Sequence, residues 1–507
     1  MSSKNIKKIL IANRGGIVNR INFTCKSLGI ETVAIFSPQD ASSPYIYNTD
    51  YAYPIDKDGY LAYLDQDEII KIALKSGADA IHPGYGFLSE NHMFAQKVVD
   101  VGLTWIGPNP ETIKLMGDKN EARRCANLAG VPIISGIEID VVTDLKVVLQ
   151  EILNIGFPLI LKDPLGGGGK AARRVDSPGE LESALRLTIS EAQKLTGTTK
   201  ILVERYLVNP RHIEIQIAGD GQNFIHLFER DCSLQRRYQK IVEEAPCSFV
   251  DKNTLEKMYA ASLRLAKAVS YKNIGTLEFM VTSDGEFFFL EMNTRLQVEH
   301  SVTEMTTGVD LVAMQIFIAE NNTIPIAQTE FHRRGHAIEC RIYSEDPNNN
   351  FAPCTGKIQS LQLPSGPTVR LDHDLVLNKE ITPFFDPMQA QLTVYGQSRE
   401  MAVAYVEQAL KSFCINGVTT NIKFLTDLIK TEAFKNGKFH TQFLSTEQTK
   451  KICSASKLQV SQHKSDLTIE ELGVVAATII QKLQDQQPIT TNNASVAANN
   501  WKAQQWK

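Results

Sequence analysis

Two stretches that alternate like β-strands, TLEFMVT (276–282) and EFFFLEM (286–292), flank Ser283-Asp284-Gly285. Asp-Gly is a strong hairpin signal. With Asp284-Gly285 as a two-residue loop, Glu278 faces Glu291 on one side of the ribbon, with Cβ atoms about 5 Å apart. Two bare carboxylates so placed repel each other. A hard dication, with Asn293 as a third oxygen ligand one pleat further on, would offset the charge. Leu277, Phe279, Phe288 and Leu290 are expected to pack on the other face, and a three-residue loop would shift the whole register. The string NTRLQVEH (293–300) follows directly. If it is extended, Arg295, Gln297 and Glu299 share one side. An arginine can hold a small oxyanion there, and a carboxylate can take its proton.

A second group of residues suits phosphate. FPLILK (157–162) reads as a strand ending in Lys162, and Gly166-Gly167-Gly168-Gly169-Lys170 follows it. A glycine run bares backbone N–H groups and lets them approach phosphate oxygens, while lysines supply charge. It is not a Walker A loop, because Pro164 stands at the first glycine position and Ala171 replaces the Ser/Thr that would hold Mg²⁺. The segment ERDCSLQRRYQKIVEE (229–244) is crowded with both signs. Its composition alone predicts a solvated amphipathic segment.

Such groups need a scaffold, and the N-terminal part supplies an α/β rhythm. KILIA (8–12) is a buried strand, Asn13-Arg14-Gly15-Gly16 a turn, and 17–28 a helix stopped by Gly29. Strands at 32–36 and 78–81 and a helix at 67–75 continue a βαβ pattern, which implies a parallel sheet with helices on both faces. The first turn lacks dinucleotide-binding spacing, because Asn13 and Ile17 fill needed positions. A break falls near residues 116–119. A second α/β region reaches about residue 334. A third, strand-rich region turns helical from Arg399 to Phe413. Beyond it, 445–464 is polar, 467–483 reads as an amphipathic helix, and PITTNNASVAANN (488–500) as a flexible tail.

Composition narrows the classes. A chain of 507 residues makes roughly three domains. Apolar residues are 43% and charged residues 22%, as in ordinary globular proteins. A net charge of −4 argues against binding nucleic acid by bulk positive charge. No run approaches the roughly 18 apolar residues that span a bilayer. The start, MSSKNIKKILIANRG, reads as the onset of a strand and not as a signal peptide. The eight cysteines are scattered without a C-x-x-C pair, which suits reduced thiols in the cytoplasm.

Long strings then carry a specific resemblance: HPGYGFLSEN (82–91), MGDK (116–119), NPRHIEIQ (209–216), FERDCSLQRR (228–237), EMNTRLQVEH (291–300) and GHAIECRIYSEDP (335–347). Over about residues 5–445 the chain resembles the biotin carboxylase component of biotin-dependent carboxylases, an ATP-grasp family. The resemblance implies a Rossmann-like domain at 1–118, an ATP-grasp domain at 119–334 with a mobile lid near 134–206, a mixed C-terminal domain at 335–445, and a partly helical or flexible tail at 446–507. It implies MgATP (or MnATP), phosphorylation of bicarbonate to carboxyphosphate, and carboxylation of biotin on a carrier. Lys119 and Lys162 would contact the phosphates, and Gly168 and Gly169 would close over them. Glu204, Arg205, Tyr206 and Leu207 would line the adenine pocket. His212, Gln235 and Tyr238 would lie by the ribose and phosphates. Glu278, Glu291 and Asn293 match the metal positions, in agreement with the hairpin register. Lys240, Arg295, Gln297 and Val298 match the bicarbonate pocket, Glu299 the base, Arg341 the residue that steadies carboxyphosphate and the biotin enolate, and Tyr85 a neighbour of biotin. The implied partners are a biotin carboxyl carrier protein and a carboxyltransferase, serving an acetyl-CoA, other acyl-CoA or pyruvate carboxylase. No Met-Lys-Met biotinylation motif occurs in the chain, so the carrier is expected on a separate polypeptide.

The chain departs from the family pattern at several places. Gly16 replaces Glu, Ala171-Ala172 replace Gly-Met after the glycines, Tyr238 replaces a frequent His, Ser301 replaces Pro, and Gln391 replaces Lys. Phe23 and Ser27 stand where bacterial members often carry an Arg and a Glu at their dimer interface. An alternative therefore stays open: a weakened or non-catalytic nucleotide-binding relative with a regulatory role.

Overall fold

The run Lys8–Ile11 forms the middle strand of a five-stranded parallel sheet, in the order Tyr51–Pro54, Glu31–Phe36, Lys8–Ile11, Ala80–His82, Thr104–Trp105. Both faces are covered, which is why the strand is apolar throughout instead of alternating. Ile9 and Ile11 pack with Ile17, Val18 and Ile21 of the helix Gly16–Ser27. Leu10 packs on the opposite face with Ile69, Ile70 and Phe94. The helix Gln66–Ser76 starts where Asp65 accepts from the Glu68 N–H and ends at Gly77 in the left-handed region, φ 69°. The computed structural model describes residues 5–140, 145–163, 172–198 and 200–462.

The larger sheet has eight strands, in the order Phe287–Asn293, Lys272–Val281, Arg211–Asp220, Phe224–Arg236, Gln239–Ala245, His336–Tyr343, Met388–Gly396, Val369–His373. Every neighbouring pair is antiparallel. Arg211–Asp220 shows how the sheet acquires two characters. Ile213, Ile215 and Ile217 are fully buried in a core with Met258 and Leu265 of the helix Lys252–Ala268. Each such side chain contributes about 1.5–3 kcal/mol on burial. The alternate residues His212, Glu214 and Gln216 lie on the other face and are also buried. At the far end, Ile338, Ile342, Leu392 and Val394 pack against Val406 and Leu410 of the helix Arg399–Ser412.

Between the two sheets in sequence lies a smaller module. Its antiparallel sheet runs Gly136–Asp140, Lys200–Arg205, Leu159–Lys162, Ala172–Val175. It has a core of its own, built from Val148, Ile152, Leu161, Leu185 and Val203.

One expectation fails outright. Residues 229–244 are not a solvated segment but two central strands, with Arg230 at 0%, Glu243 at 0% and Glu229 at 1% exposure. The charges are inside because opposite charges on other elements meet them, Glu214 at Arg230, Arg333 at Glu229 and Arg341 at Glu243, which composition cannot reveal. The chain divides into the units Met1–Cys453 and Ser454–Lys507. Of the second unit only 454–462 is described, as helix, so the helix expected at 467–483 and the tail at 488–500 lie outside the described residues. No single helix among the described residues is long and apolar enough to cross a membrane. None of Cys25, Cys125, Cys232, Cys247, Cys340, Cys354 and Cys414 is in a disulfide.

Candidate active site

The polar face of the eight-stranded sheet is a ledge of buried charge. Arg230, Glu214, Glu278 and Glu291 stand opposite one another on successive strands. The Glu278–Glu291 pairing is the expected one, but the hairpin reaches it differently. The loop is the three residues Ser283-Asp284-Gly285, closed by Thr282 N–H to Glu286 O at 2.9 Å and by Gly285 at φ 84°. That loop alone would slide Glu278 off Glu291. A bulge at Leu290 restores the register, so that Phe279 faces Phe289 while Glu278 faces Glu291. The bulge also changes the packing. Leu290 is 36% exposed, and Phe287 and Phe289 take the places expected for Phe288 and Leu290, with rings 5.7 and 6.2 Å from Phe279.

The two carboxylates differ. Glu278 Oε1 accepts from Lys240 Nζ at 2.8 Å, Asn293 Nδ2 at 2.8 Å and Gln297 Nε2 at 3.1 Å, and Oε2 lies 3.0 Å from His212 Nε2. Burial works against its charge, but Lys240 and His212 hold it well below the ordinary carboxylate range. Burial and the facing Glu278 push Glu291 up. Among the described residues Glu291 takes no hydrogen bond or ion pair. A facing carboxylate with uncommitted oxygens is what a hard divalent cation needs. Asn293 Oδ1 accepts from Arg295 Nη2 at 3.0 Å, so its amide would have to turn to become a ligand.

Lys240 is brought in by the hairpin of Phe224–Arg236 and Gln239–Ala245. The connecting residues Arg237 and Tyr238 both lie in the left-handed region, φ 53° and 67°. Its ammonium meets Glu214, Glu278 at 2.8 Å and Glu299 at 2.8 Å. Burial disfavours that ammonium, yet the three glutamates raise its pKa well above the usual lysine value. Arg230 anchors the ledge from below. All five of its N–H groups are used, on Glu214, Gln216, Thr276 and Thr303, at 2.7–3.1 Å.

The segment after Asn293 is not extended as the sequence suggests. It leaves the sheet and turns into the helix His300–Thr307, with Glu299 at the N-cap. The expected three side chains still converge. Arg295 Nη1 donates to Gln297 Oε1 at 3.0 Å, and Arg295 Nε to Glu90 Oε2 at 2.9 Å. Glu299 Oε1 takes Lys240, and Oε2 takes Arg341 Nη2 at 2.9 Å. Burial and Glu214 would push Glu299 up, but Lys240, Arg341 and Arg230 keep it below its usual value. It is therefore ionised, as a base must be. Arg341 also donates from Nε to Glu243 Oε1 at 2.6 Å.

A cavity of about 560 Å³ reaches this group. Arg295, Val298, Arg341 and Tyr85 line it, together with Arg14 and Phe384. Burial pushes the Tyr85 phenol up, so it stays a donor, to Gln391 Oε1 at 3.3 Å.

The expected nucleotide residues are more dispersed. Lys119 is exposed at the first turn of the helix Lys119–Leu128, whose N-cap Asp118 accepts from Asn120 N–H at 2.9 Å. Lys162 ends its strand 2.7 Å from Glu204, which Arg123 also binds. Arg205 pairs with Glu286 at 3.0 Å, Tyr206 N–H donates to Pro158 O at 2.8 Å, and Leu207 is buried. His212 Nδ1 meets Gln235 Nε2 at 2.8 Å. Burial works against protonating His212, but Glu278 and Glu214 raise it to about 9. Tyr238 is 81% exposed at its turn and outside the buried group. Gly168, Gly169 and Ala171 lie outside the described residues. Glu214, Arg230, Glu243, Glu90 and Arg123 were not singled out from the sequence. The alternation His212, Glu214, Gln216 marks Glu214, whereas nothing local marks Arg230 or Glu243.

Comparison with known proteins follows this geometry. The family model described as biotin carboxylase, N-terminal domain matches residues 5–113. The carbamoyl-phosphate synthase L chain, ATP binding domain model matches 118–327, and the biotin carboxylase C-terminal domain model 339–446. Biotin carboxylase 2 of Bacillus subtilis is 43% identical over 439 residues, 86% of this chain and 98% of that protein. The mitochondrial methylcrotonoyl-CoA carboxylase subunit alpha of Dictyostelium discoideum is 44% identical over 87% of this chain, which spans 63% of that protein's length. The biotin carboxylase domain of Hydrogenobacter thermophilus 2-oxoglutarate carboxylase, solved with MgADP, ADP and bicarbonate, superposes with a TM-score of 0.80 at 40% identity, covering 88% of this chain and 98% of that one.

Proposed function

The chain belongs to the biotin carboxylase family, and from that premise we propose that it carboxylates biotin with ATP and bicarbonate through the residues gathered on the ledge. The observation that carries this reading is the convergence of Lys240, Glu299 and Arg341 beside the facing pair Glu278–Glu291, with Arg295 and Arg341 lining the cavity.

A bicarbonate oxygen attacks the γ-phosphorus of ATP and releases ADP, giving carboxyphosphate; its carboxyl group then leaves phosphate for N1 of biotin, and the released phosphate takes the N1 proton. Bicarbonate is a weak nucleophile until it loses its proton. The ionised Glu299 is the base, and Lys240 and Arg341, each holding one of its oxygens, fix its orientation. Arg295, Gln297, the Val298 backbone and Lys240 hold the small oxyanion. Glu278 and Glu291, with Asn293 turned inward, would hold Mg²⁺, which would supply charge neutralisation to the phosphates. Lys119 and Lys162 bind phosphates, and Gly168 and Gly169, outside the described residues, are assigned to the same phosphates. Lys162 must leave Glu204 to do so, which suits a small module that moves as a lid. Glu204, Arg205, Tyr206 and Leu207 join that module to the main sheet and would line the adenine, with His212, Gln235 and Tyr238 toward the ribose and phosphates. Arg341 then faces the oxyanion that develops on the biotin ureido group, with Tyr85 beside the ring.

A non-catalytic role is disfavoured by the same geometry, because base, arginines and metal ledge are all brought together. Biotin carboxylases work with a carrier that presents biotin and with a carboxyltransferase. We assign this chain the same two partners, in a carboxylase whose acceptor is an acyl-CoA or a 2-oxo acid. Self-association through the face of the first helix would rest on the Phe23 ring, 69% exposed, and not on an Arg–Glu pair. The test is ADP release by the purified chain with Mg²⁺ and bicarbonate. Stimulation by free biotin is expected, and ADP release indifferent to both bicarbonate and biotin would overturn the assignment.

A further inference from the structure

Two residues before Arg341 stands Glu339, fully buried. On one side it directly faces Glu243 and on the other Thr393, while Arg341 faces Gln391. Two interior carboxyl groups thus sit with Cβ atoms about 5 Å apart. The cation nearby is already committed, since Arg341 gives Nε to Glu243 and Nη2 to Glu299. Among the described residues Glu339 has no ion pair. Its contacts are neutral: the Ser301 hydroxyl and Thr393 Oγ1 at 3.4 Å on Oε2, and Gln391 Nε2 at 3.5 Å on Oε1.

The remaining groups around Glu339 add no uncommitted positive charge, since Arg370 is paired with Asp372 and Glu304. The helix His300–Thr307 brings Ser301 with Glu299 just before it, and the strand Val369–His373 brings Asp372, paired with Arg370 at 2.6 Å, opposite Gln391. An ionised Glu339 would be an unpaired buried charge beside a like charge, which is costly. A protonated one closes the network. Its O–H would donate to Ser301 Oγ, and the Ser301 hydroxyl, released from Oε2, would donate to Thr393 Oγ1, 2.6 Å away. Burial, then Glu243, pushes Glu339 far above the ordinary range, and burial raises Glu243 to about 7.

Gln391 links this neutral group to residues that line the cavity. Its Nε2 donates to the Val298 carbonyl at 2.6 Å, next to Glu299, and its Oε1 accepts from Tyr85. We propose that Ser301 and Gln391 hold Glu339 as a neutral carboxylic acid, and that this uncharged strut positions Tyr85, Val298 and Arg341 for carboxyl transfer to biotin. The positioning half rests on the roles given above to Tyr85 and Arg341. It also joins two departures from the family pattern. A lysine at 391 would pair with an ionised Glu339. Glutamine cannot, and the hydroxyl that replaces proline at 301 accepts the hydrogen bond of the protonated acid instead.

The infrared difference between the full chain and its Glu339→Gln variant at pH 8 tests the protonation. The carbonyl stretch of a buried carboxylic acid is expected in the parent and absent from the variant. A carboxylate signal in its place would overturn the proposal. Gln391→Lys should convert the acid band to carboxylate. Gln391→Met should raise KM for biotin about tenfold, the effect of one lost hydrogen bond, while KM for MgATP stays within about twofold. Parallel changes in both constants, or none, would overturn the positioning role. If the parent shows no biotin-dependent turnover, it is the functional reading that fails, and the infrared band still decides the state of Glu339.

Discussion

The ledge on the eight-stranded sheet and the small module at 136–205 both present charge to the proposed ATP site, but they hold it differently. On the ledge, Glu214, Glu278, Glu299 and Arg230 are buried and Lys240 is nearly so, and each is held by at least two polar partners. On the module most pairs are open to solvent, although Lys162 and Arg123 meet a buried Glu204. Arg186–Glu182 has side chains 64% and 56% exposed, and Arg174–Asp176 45% and 54%. Buried charge is stable only when its partners are fixed, so the ledge is rigid and preorganised. Solvated pairs cost little to break, so the module can exchange its contacts for those of a ligand. In the proposed mechanism, orientation of the base thus belongs to the sheet, and capture of the nucleotide to the module.

Four substitutions probe this division. The largest effect is expected from Glu299→Gln. Bicarbonate-dependent ATP cleavage should fall at least about 100-fold, with MgATP affinity within about twofold, read by steady-state turnover and equilibrium binding. Arg230→Met removes a buried partner of Glu214 and should cost about 3–5 kcal/mol, read as a lower melting temperature. A variant as stable as the parent would show that the ledge is not held by its charges. Lys162→Ala, on the module, should weaken MgATP binding about tenfold while leaving thermal stability nearly unchanged. An unaltered dissociation constant would remove Lys162 from the phosphate set. The smallest effect is Arg186→Ala, expected to change stability by less than about 0.5 kcal/mol.

His82 offers a contrast in pH, because it is a buried titratable group with no carboxylate partner among the described residues. Burial lowers its pKa to about 3, and its Nδ1 accepts from Gly84 N–H at 3.0 Å. Between that value and the unfolded value near 6.5, the unfolded chain binds more protons. Its contribution to stability is therefore fully present above about pH 6.5 and is lost as pH falls toward 3, at no more than about 1.4 kcal/mol per pH unit. His82→Gln should flatten the melting temperature over that window. An unchanged slope would show that His82 is not its source.

What the sequence discloses follows from where the physics is local. The N-terminal strands and helices are legible because apolar periodicity and glycine stops decide them. The facing of Glu278 and Glu291 is also legible, though for an incomplete reason. The loop is one residue longer than Asp-Gly alone implies, and the Leu290 bulge cancels the shift. The strands over 229–244 are not legible, because composition cannot distinguish a solvated run of charges from one whose partners arrive from Glu214, Arg333 and Arg341 on distant elements. Nor is the turn that makes Glu299 an N-cap, since the convergence of Arg295, Gln297 and Glu299 depends on tertiary contacts with Glu90, Lys240 and Arg341.

The central claim is that Glu299, oriented by Lys240 and Arg341, deprotonates bicarbonate ahead of biotin carboxylation. The most direct measurement is ADP release with Mg²⁺ and bicarbonate, with and without biotin, for the chain and its Glu299→Gln variant side by side. The account predicts biotin-stimulated release by the parent and near-complete loss in a variant that still binds MgATP. Equal, biotin-stimulated turnover by both would contradict it.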